Sequence, residues 1–97
     1  MRTREAQRAI RKGIKFLDSE IPKWRRLIDR DDLDLSDPRN CIMGQIFGDY
    51  DRGRDILGLD LEESEAMGFG LHDAKMDDAD KYESEYYWLT DLWKGIL

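Results

Sequence analysis

The sequence predicts an all-α fold, a compact single domain over residues 1–97 with about five or six short and medium helices, and three observations carry that expectation. Apolar side chains recur at three-and-four spacing near both ends of the chain, as Ala6, Ile10, Ile14 and Leu17 and again as Tyr86, Leu89, Trp93 and Ile96. That spacing lines one face of a helix. Helix start and stop signals punctuate the middle, with Pro22, Gly58, Asp60 followed three places on by Glu63, and Gly68. The length of 97 residues, finally, suits one core and is too short for two. Surface scaling lets a chain of this size bury roughly 65% of its unfolded surface, so folding needs no disulfide or metal.

The first helix covers Arg4 to Asp18, with Thr3 as its N-cap. Its outer face carries Arg4, Arg8, Arg11, Lys12 and Lys15, which oppose the helix dipole with only Glu5 to compensate. Gly13 weakens the helix interior and implies close approach of a neighbouring element. Pro22 ends this helix near Ser19 or Glu20 and opens a short second one, Pro22 to Ile28, expected to turn Trp24, Leu27 and Ile28 inward. From Asp29 to Pro38, leucines alternate with carboxylates and the proline forces Asp37 out of helical geometry. This segment reads as a loop anchored by Leu33 and Leu35.

Cys41 to Phe47 is the most apolar run and belongs to the core. Periodicity alone leaves strand or buried helix open, and the four-residue spacing with Met and Gln favours helix. A further short helix follows from Asp51 to Leu57, capped by Asp49 or Asp51, with Ile56 and Leu57 inward and Gly58 as its stop. Asp60 and Glu63 form a capping-box pattern before a helix that ends at Gly68. His72 to Lys81 reads as a polar loop, and a last helix runs from about Ser84 to Ile96, its stripe widened by Trp88 and Leu92.

Composition narrows the function classes. Hydrophobic residues at 40% with three tryptophans argue against disorder, while charged residues at 39% leave a thin core, implying modest stability or support from a partner. A lone Cys41 can form neither an intramolecular bridge nor a zinc site, and no N-terminal apolar run of signal-peptide length follows the basic residues at the start, which fits a soluble cytoplasmic protein. No stretch approaches the roughly 20 apolar residues that span a bilayer. The net charge of −6 conceals polarity: residues 1–30 hold ten Lys/Arg against four Asp/Glu, hence +6, and residues 31–97 hold six against eighteen, hence −12. Either the basic first helix lies across the acidic remainder, or its face meets a partner.

No catalytic constellation stands out. Covalent catalysis would need Cys41 beside His72, yet one sits in an apolar run and the other in a polar loop. The aspartate clusters at 29–37 and 73–80 fail the twelve-residue calcium pattern: starting at Asp78, Glu83 replaces the glycine and Leu89 the bidentate glutamate, and starting at Asp29 the last place falls on Asn40. With twenty-two Asp and Glu, some carboxylate pair falls in range under almost any folding, so pairs say nothing of acid–base chemistry. Arg52-Gly53-Arg54 lacks the spacing and lysine of a phosphate loop and reads as a surface turn. No cofactor or metal is expected.

Binding is therefore the expected activity. The basic face with Lys23, Arg25 and Arg26 carries enough charge to contact several phosphates, although the acidic body opposes that use and no base-reading motif is present. The acidic surface also permits a DNA-mimic inhibitor. Tyr82, Tyr86, Tyr87, Trp88 and Trp93 crowd one helix and its approach beyond what a single stripe requires, so Tyr87 and Trp88 are candidate contacts for a protein partner or a second copy of the chain. The alternative packs these rings over the basic helix in cation–π contacts. The candidate site is Arg8, Arg11, Lys12 and Lys15 together with Tyr87 and Trp88.

The segment from Cys41 to Tyr50, the Gly68-Phe69-Gly70 turn and the closing Leu89-Thr90-Asp91-Leu92-Trp93 resemble a group of small uncharacterised proteins encoded by actinobacterial phages and their hosts. The likeness covers most of the chain beyond Gly13 and extends to Leu17-Asp18 and Pro22-Lys23-Trp24, which match that group's Leu-Asp and Pro-x-Trp segments; the acidic run from Asp73 to Asp80 departs from it. The resemblance implies a source. Through that source it implies a small non-enzymatic module that binds and modulates a host protein.

Overall fold

A computed structural model describes residues 3–70 and 79–97, with side chains in the second stretch from Ser84 onward. It is all-α: α1 (Thr3–Glu20), a 3-10 turn (Trp24–Leu27), α2 (Ile42–Phe47), α3 (Tyr50–Leu57), α4 (Leu61–Ala66) and α5 (Ala79–Ile96), with no strand among the described residues. The aspartates from Asp73 to Asp78, His72 and the side chain of Tyr82 lie outside the described residues.

The core is built by the two long helices with α2 and the loops between them. Ala6, Ile10, Gly13 and Leu17 are the buried residues of α1, and Tyr86, Leu89 and Trp93 those of the apolar stripe of α5. Trp93 is the hub. Phe69 stacks on it with ring centres 5.9 Å apart, Trp24 meets it edge-on at 6.5 Å, and its indole N–H donates to the Gly68 carbonyl at 2.7 Å. Aromatic pairs of this kind add about 0.5–1.5 kcal/mol beyond area burial. Gly68 can serve there because its φ of 76° suits a residue without Cβ. Gly13 marks where α1 meets the turn after α4, since a Cβ at that position would lie 2.2 Å from the Met67 carbonyl oxygen.

The short helices are set by local chemistry. The Asp60 carboxylate accepts from the Glu63 backbone N–H at 2.8 Å while Glu63 accepts from the Asp60 N–H, so the capping box at the start of α4 is complete. Asp49 caps α3, and Gly58 closes it in the left-handed conformation. The Cys41 to Phe47 run is helical, with the Cys41 sulfur itself accepting from the Gly44 N–H at 3.3 Å as the N-cap of α2.

Several expectations are corrected. α1 begins by Thr3, which lies inside the helix rather than outside it as the cap, and α5 begins at Ala79 rather than near Ser84. Pro22 to Ile28 makes only the 3-10 turn Trp24–Leu27, in which Trp24 is buried and Leu27 is 52% exposed. A single tight turn offers one inward position, and the indole takes it. In α3 the inward positions are Tyr50, Gly53 and Leu57, which swings Ile56 roughly 100° round from Leu57 and leaves it 59% exposed. Ile96, at the end of its helix, is 39% exposed. Arg52-Gly53-Arg54 lies within α3 and not in a turn, with Gly53 buried where a Cβ would meet Phe47 and Met43.

Candidate functional site

Two surfaces of opposite charge carry the functional possibilities. The first is the outer face of α1. At about 100° per residue, Arg4, Arg8, Arg11, Lys12 and Lys15 fall within an arc of roughly 100° centred opposite the buried row of Ala6, Ile10, Gly13 and Leu17. All five are exposed, and none makes an ion pair or hydrogen bond with any described residue. The basic helix therefore does not lie across the described part of the acidic body; its charge faces solvent. From Arg4 to Lys15 the stripe runs about 16 Å.

The second surface is a cleft of about 340 Å³ between the 31–34 segment and α5. Asp31, Asp32 and Asp34 line one side, and Tyr87, Asp91 and Lys94 the other. From sequence the first group reads only as part of a loop anchored by Leu33 and Leu35. The signal was present in the alternation itself: burying Leu33 and Leu35 sends the flanking aspartates outward, and Thr90 joins the two walls by accepting from the Leu35 backbone N–H at 3.0 Å.

The expected aromatic pair separates. Tyr87 is 68% exposed at the cleft, whereas Trp88 is half-buried against the core. Consecutive helical residues sit about 100° apart, and here that step carries Trp88 from the cleft rim round toward the core. No α1 residue lines the cleft that Tyr87 borders. Nor, among the described residues, do the aromatics of α5 cover the cations of α1: Arg25 lies 4.7 Å over Trp24 and Arg54 5.4 Å over Tyr50.

Much of the remaining polar chemistry is structural. Asp18 accepts from the Trp24 indole at 2.8 Å and from Arg25 at 2.7 Å, and these bonds hold its carboxyl below its ordinary value against the opposing effect of desolvation. Asp29, Asp34 and Asp37 each accept from a backbone N–H two residues on, at 2.9–3.0 Å, tying the 29–40 segment into successive turns. The bond from the Arg39 N–H, and that from the Asn40 side chain, hold Asp37 low as well. Gln45 stitches the segment to α2, accepting from the Asp29 N–H and donating to the Asp29 and Asn40 carbonyls at 3.1 Å.

Burial pushes the Cys41 thiol up to about 11, which leaves roughly one part in ten thousand as thiolate at pH 7. Such a thiol is a poor nucleophile. The Tyr50 hydroxyl pairs with fully buried Ser64 at 2.7 Å, so neither group stands free beside a cleft. No group of three or more His, Cys, Asp or Glu among the described residues is arranged to hold a metal ion. Among those residues, too, no helix is long and apolar enough to cross a membrane. Compared with known protein families, curated proteins and solved structures, the chain matches none.

Proposed function

We propose that this protein is a small non-enzymatic interaction module whose working surface is the outer face of α1, and that the surface it meets is an acidic patch on another protein. One observation carries this reading: five cations share one helix face, all exposed and none paired with the described residues. Of these, Arg4 sits in the first turn, where a cation opposes the helix dipole, and none is engaged within the described part of the chain, so the stripe is free to meet a partner. An oppositely charged partner gains steering and register from it. The resemblance to products of actinobacterial phages makes a host protein the target, with the chain as its modulator in the host cytoplasm.

The same stripe supports a second reading, attachment to a nucleic-acid backbone, because a row of arginines and lysines neutralises phosphates equally well. The acidic cleft on the same molecule weighs against it.

Capture from lysate of an actinobacterial host, with and without nuclease, separates the two when the wild type is compared with Arg8→Gln/Arg11→Gln/Lys15→Gln. The interaction reading expects a nuclease-resistant protein that the triple variant fails to retain. Retention lost on nuclease treatment turns the conclusion to nucleic acid, and equal retention by both proteins removes α1 from the site.

A further inference from the structure

The two charged surfaces are complementary to each other and lie on one chain. Asp31, Asp32, Asp34 and Asp91 set four negative charges around the cleft against the single Lys94, a local balance of −3, while the α1 stripe carries five positive charges. Asp34 spends one oxygen on the Ser36 N–H and hydroxyl. The carboxylates of Asp31, Asp32 and Asp91 make no hydrogen bond or ion pair with described residues, and Asp32 and Asp91 are exposed. Both halves of a charged contact are thus present and unsatisfied. They are not satisfied by each other within one molecule, since no α1 residue lines the cleft.

We infer that, away from the acidic partner proposed above, the α1 outer face docks on the acidic cleft of a second copy of this chain, from which that partner's acidic patch displaces it. The inference rests on the reading of that face as a docking surface. A cleft of about 340 Å³ is too small to seat a helix, but it accepts the ends of long cationic side chains while the helix rests across its rim. Tyr87, 68% exposed at that rim, offers a ring face to an arriving guanidinium. Arginine suits this role because its planar fork matches a carboxylate with two hydrogen bonds. Two copies that exchange α1 faces reciprocally make a closed isologous dimer, whereas copies that dock face to cleft in one direction only make a heterologous contact that propagates head to tail. Lowering the salt lengthens the Debye screening distance and strengthens it.

The test is the solution mass by light scattering at low and high salt for four proteins: the wild type, Arg8→Glu/Arg11→Glu, Asp32→Lys/Asp91→Lys, and the combination of all four changes. All the replaced side chains are exposed and unpaired, and circular dichroism checks that each variant keeps its helices. The wild type should exceed monomer mass at low salt and fall toward it at high salt. Each double variant should stay monomeric. The fourfold variant, which retains the wild-type net charge of −6 while exchanging the signs across the contact, should regain the larger mass. A wild type that is monomeric at every salt concentration overturns the inference, as does an oligomer indifferent to either double variant or a fourfold variant that stays monomeric. A monomeric chain that still retains an acidic host protein through α1 leaves the interaction reading standing and removes the second copy as occupant.

Discussion

The outer face of α1 and the segment from 29 to 40 are both dense in charge, and their charges do opposite work. On α1 the side chains of Arg4, Arg8, Arg11, Lys12 and Lys15 make no ion pair or hydrogen bond with the described residues, and the helix is held mainly by its inner row, Ala6, Ile10, Gly13 and Leu17, flanked by Ile14 and Phe16. In the segment, Asp29, Asp34 and Asp37 replace a missing helix or sheet ladder, each satisfying a backbone N–H that would otherwise lack a partner. Charge on a regular element is free for binding because the backbone already satisfies itself. The carboxylates of an irregular element are largely consumed by the backbone, and of those in this segment only Asp31 and Asp32 are left over.

The contrast can be broken at its apolar anchors first. Leu35 is 5% exposed and holds the segment against α5. Leu35→Ala should cost about 2–5 kcal/mol, the range for emptying a buried leucine site, and should lower the denaturant midpoint accordingly. Gly13→Ala attacks the other region, because its new Cβ overlaps the Met67 carbonyl and the neighbouring turn must shift. Overpacking of this kind costs about 1–3 kcal/mol, offset by less than about 1 kcal/mol of helix propensity, so the change should be destabilising in urea unfolding.

Acid sharpens the comparison. Asp18 and Asp37 both titrate below their ordinary values in the folded chain, so the stability they provide is complete above the unfolded-state value of about 4 and is lost as pH falls through the lower folded values. Unfolding midpoints followed downward from about pH 7 should therefore decline below about pH 4, and Asp18→Asn/Asp37→Asn should flatten part of that decline. The smallest effect belongs to the α1 stripe: replacing Arg8, Arg11 and Lys15 by glutamine should move stability by no more than about 0.5 kcal/mol per site while changing what the protein binds. A collapse of stability there would show that the stripe is engaged in holding the fold.

The helices themselves were legible in the residues at most places where a signal is local, with Thr3 and Pro22 as the exceptions. The Asp60–Glu63 capping box, the stop at Gly58 and the helical choice for Cys41 to Phe47 depend on chemistry within four or five residues, and all are found. So is the anchoring of the 29–38 loop by Leu33 and Leu35. Inward and outward assignments fared less well at Leu27, Ile56 and Ile96, which are apolar and exposed. Hydrophobicity states a preference for burial, and the available inward positions decide whether it is met.

Of the candidate site, the basic row on α1 was readable because 3.6 residues per turn turns spacing into a face without reference to anything else. Whether that face was covered was not readable. Nothing local in Asp31, Asp32 or Asp91 brings them to a common cleft either; their meeting depends on Thr90 taking the Leu35 N–H across 55 residues of sequence. The sequence by itself thus determined the all-α class, the capping box at Asp60, the stop at Gly58 and the cationic stripe, all products of periodicity and short-range hydrogen bonding. Tertiary structure alone decided that the stripe stays open, that Tyr87 and Trp88 part company, and that an acidic cleft exists, because each depends on which distant surfaces the single core brings together.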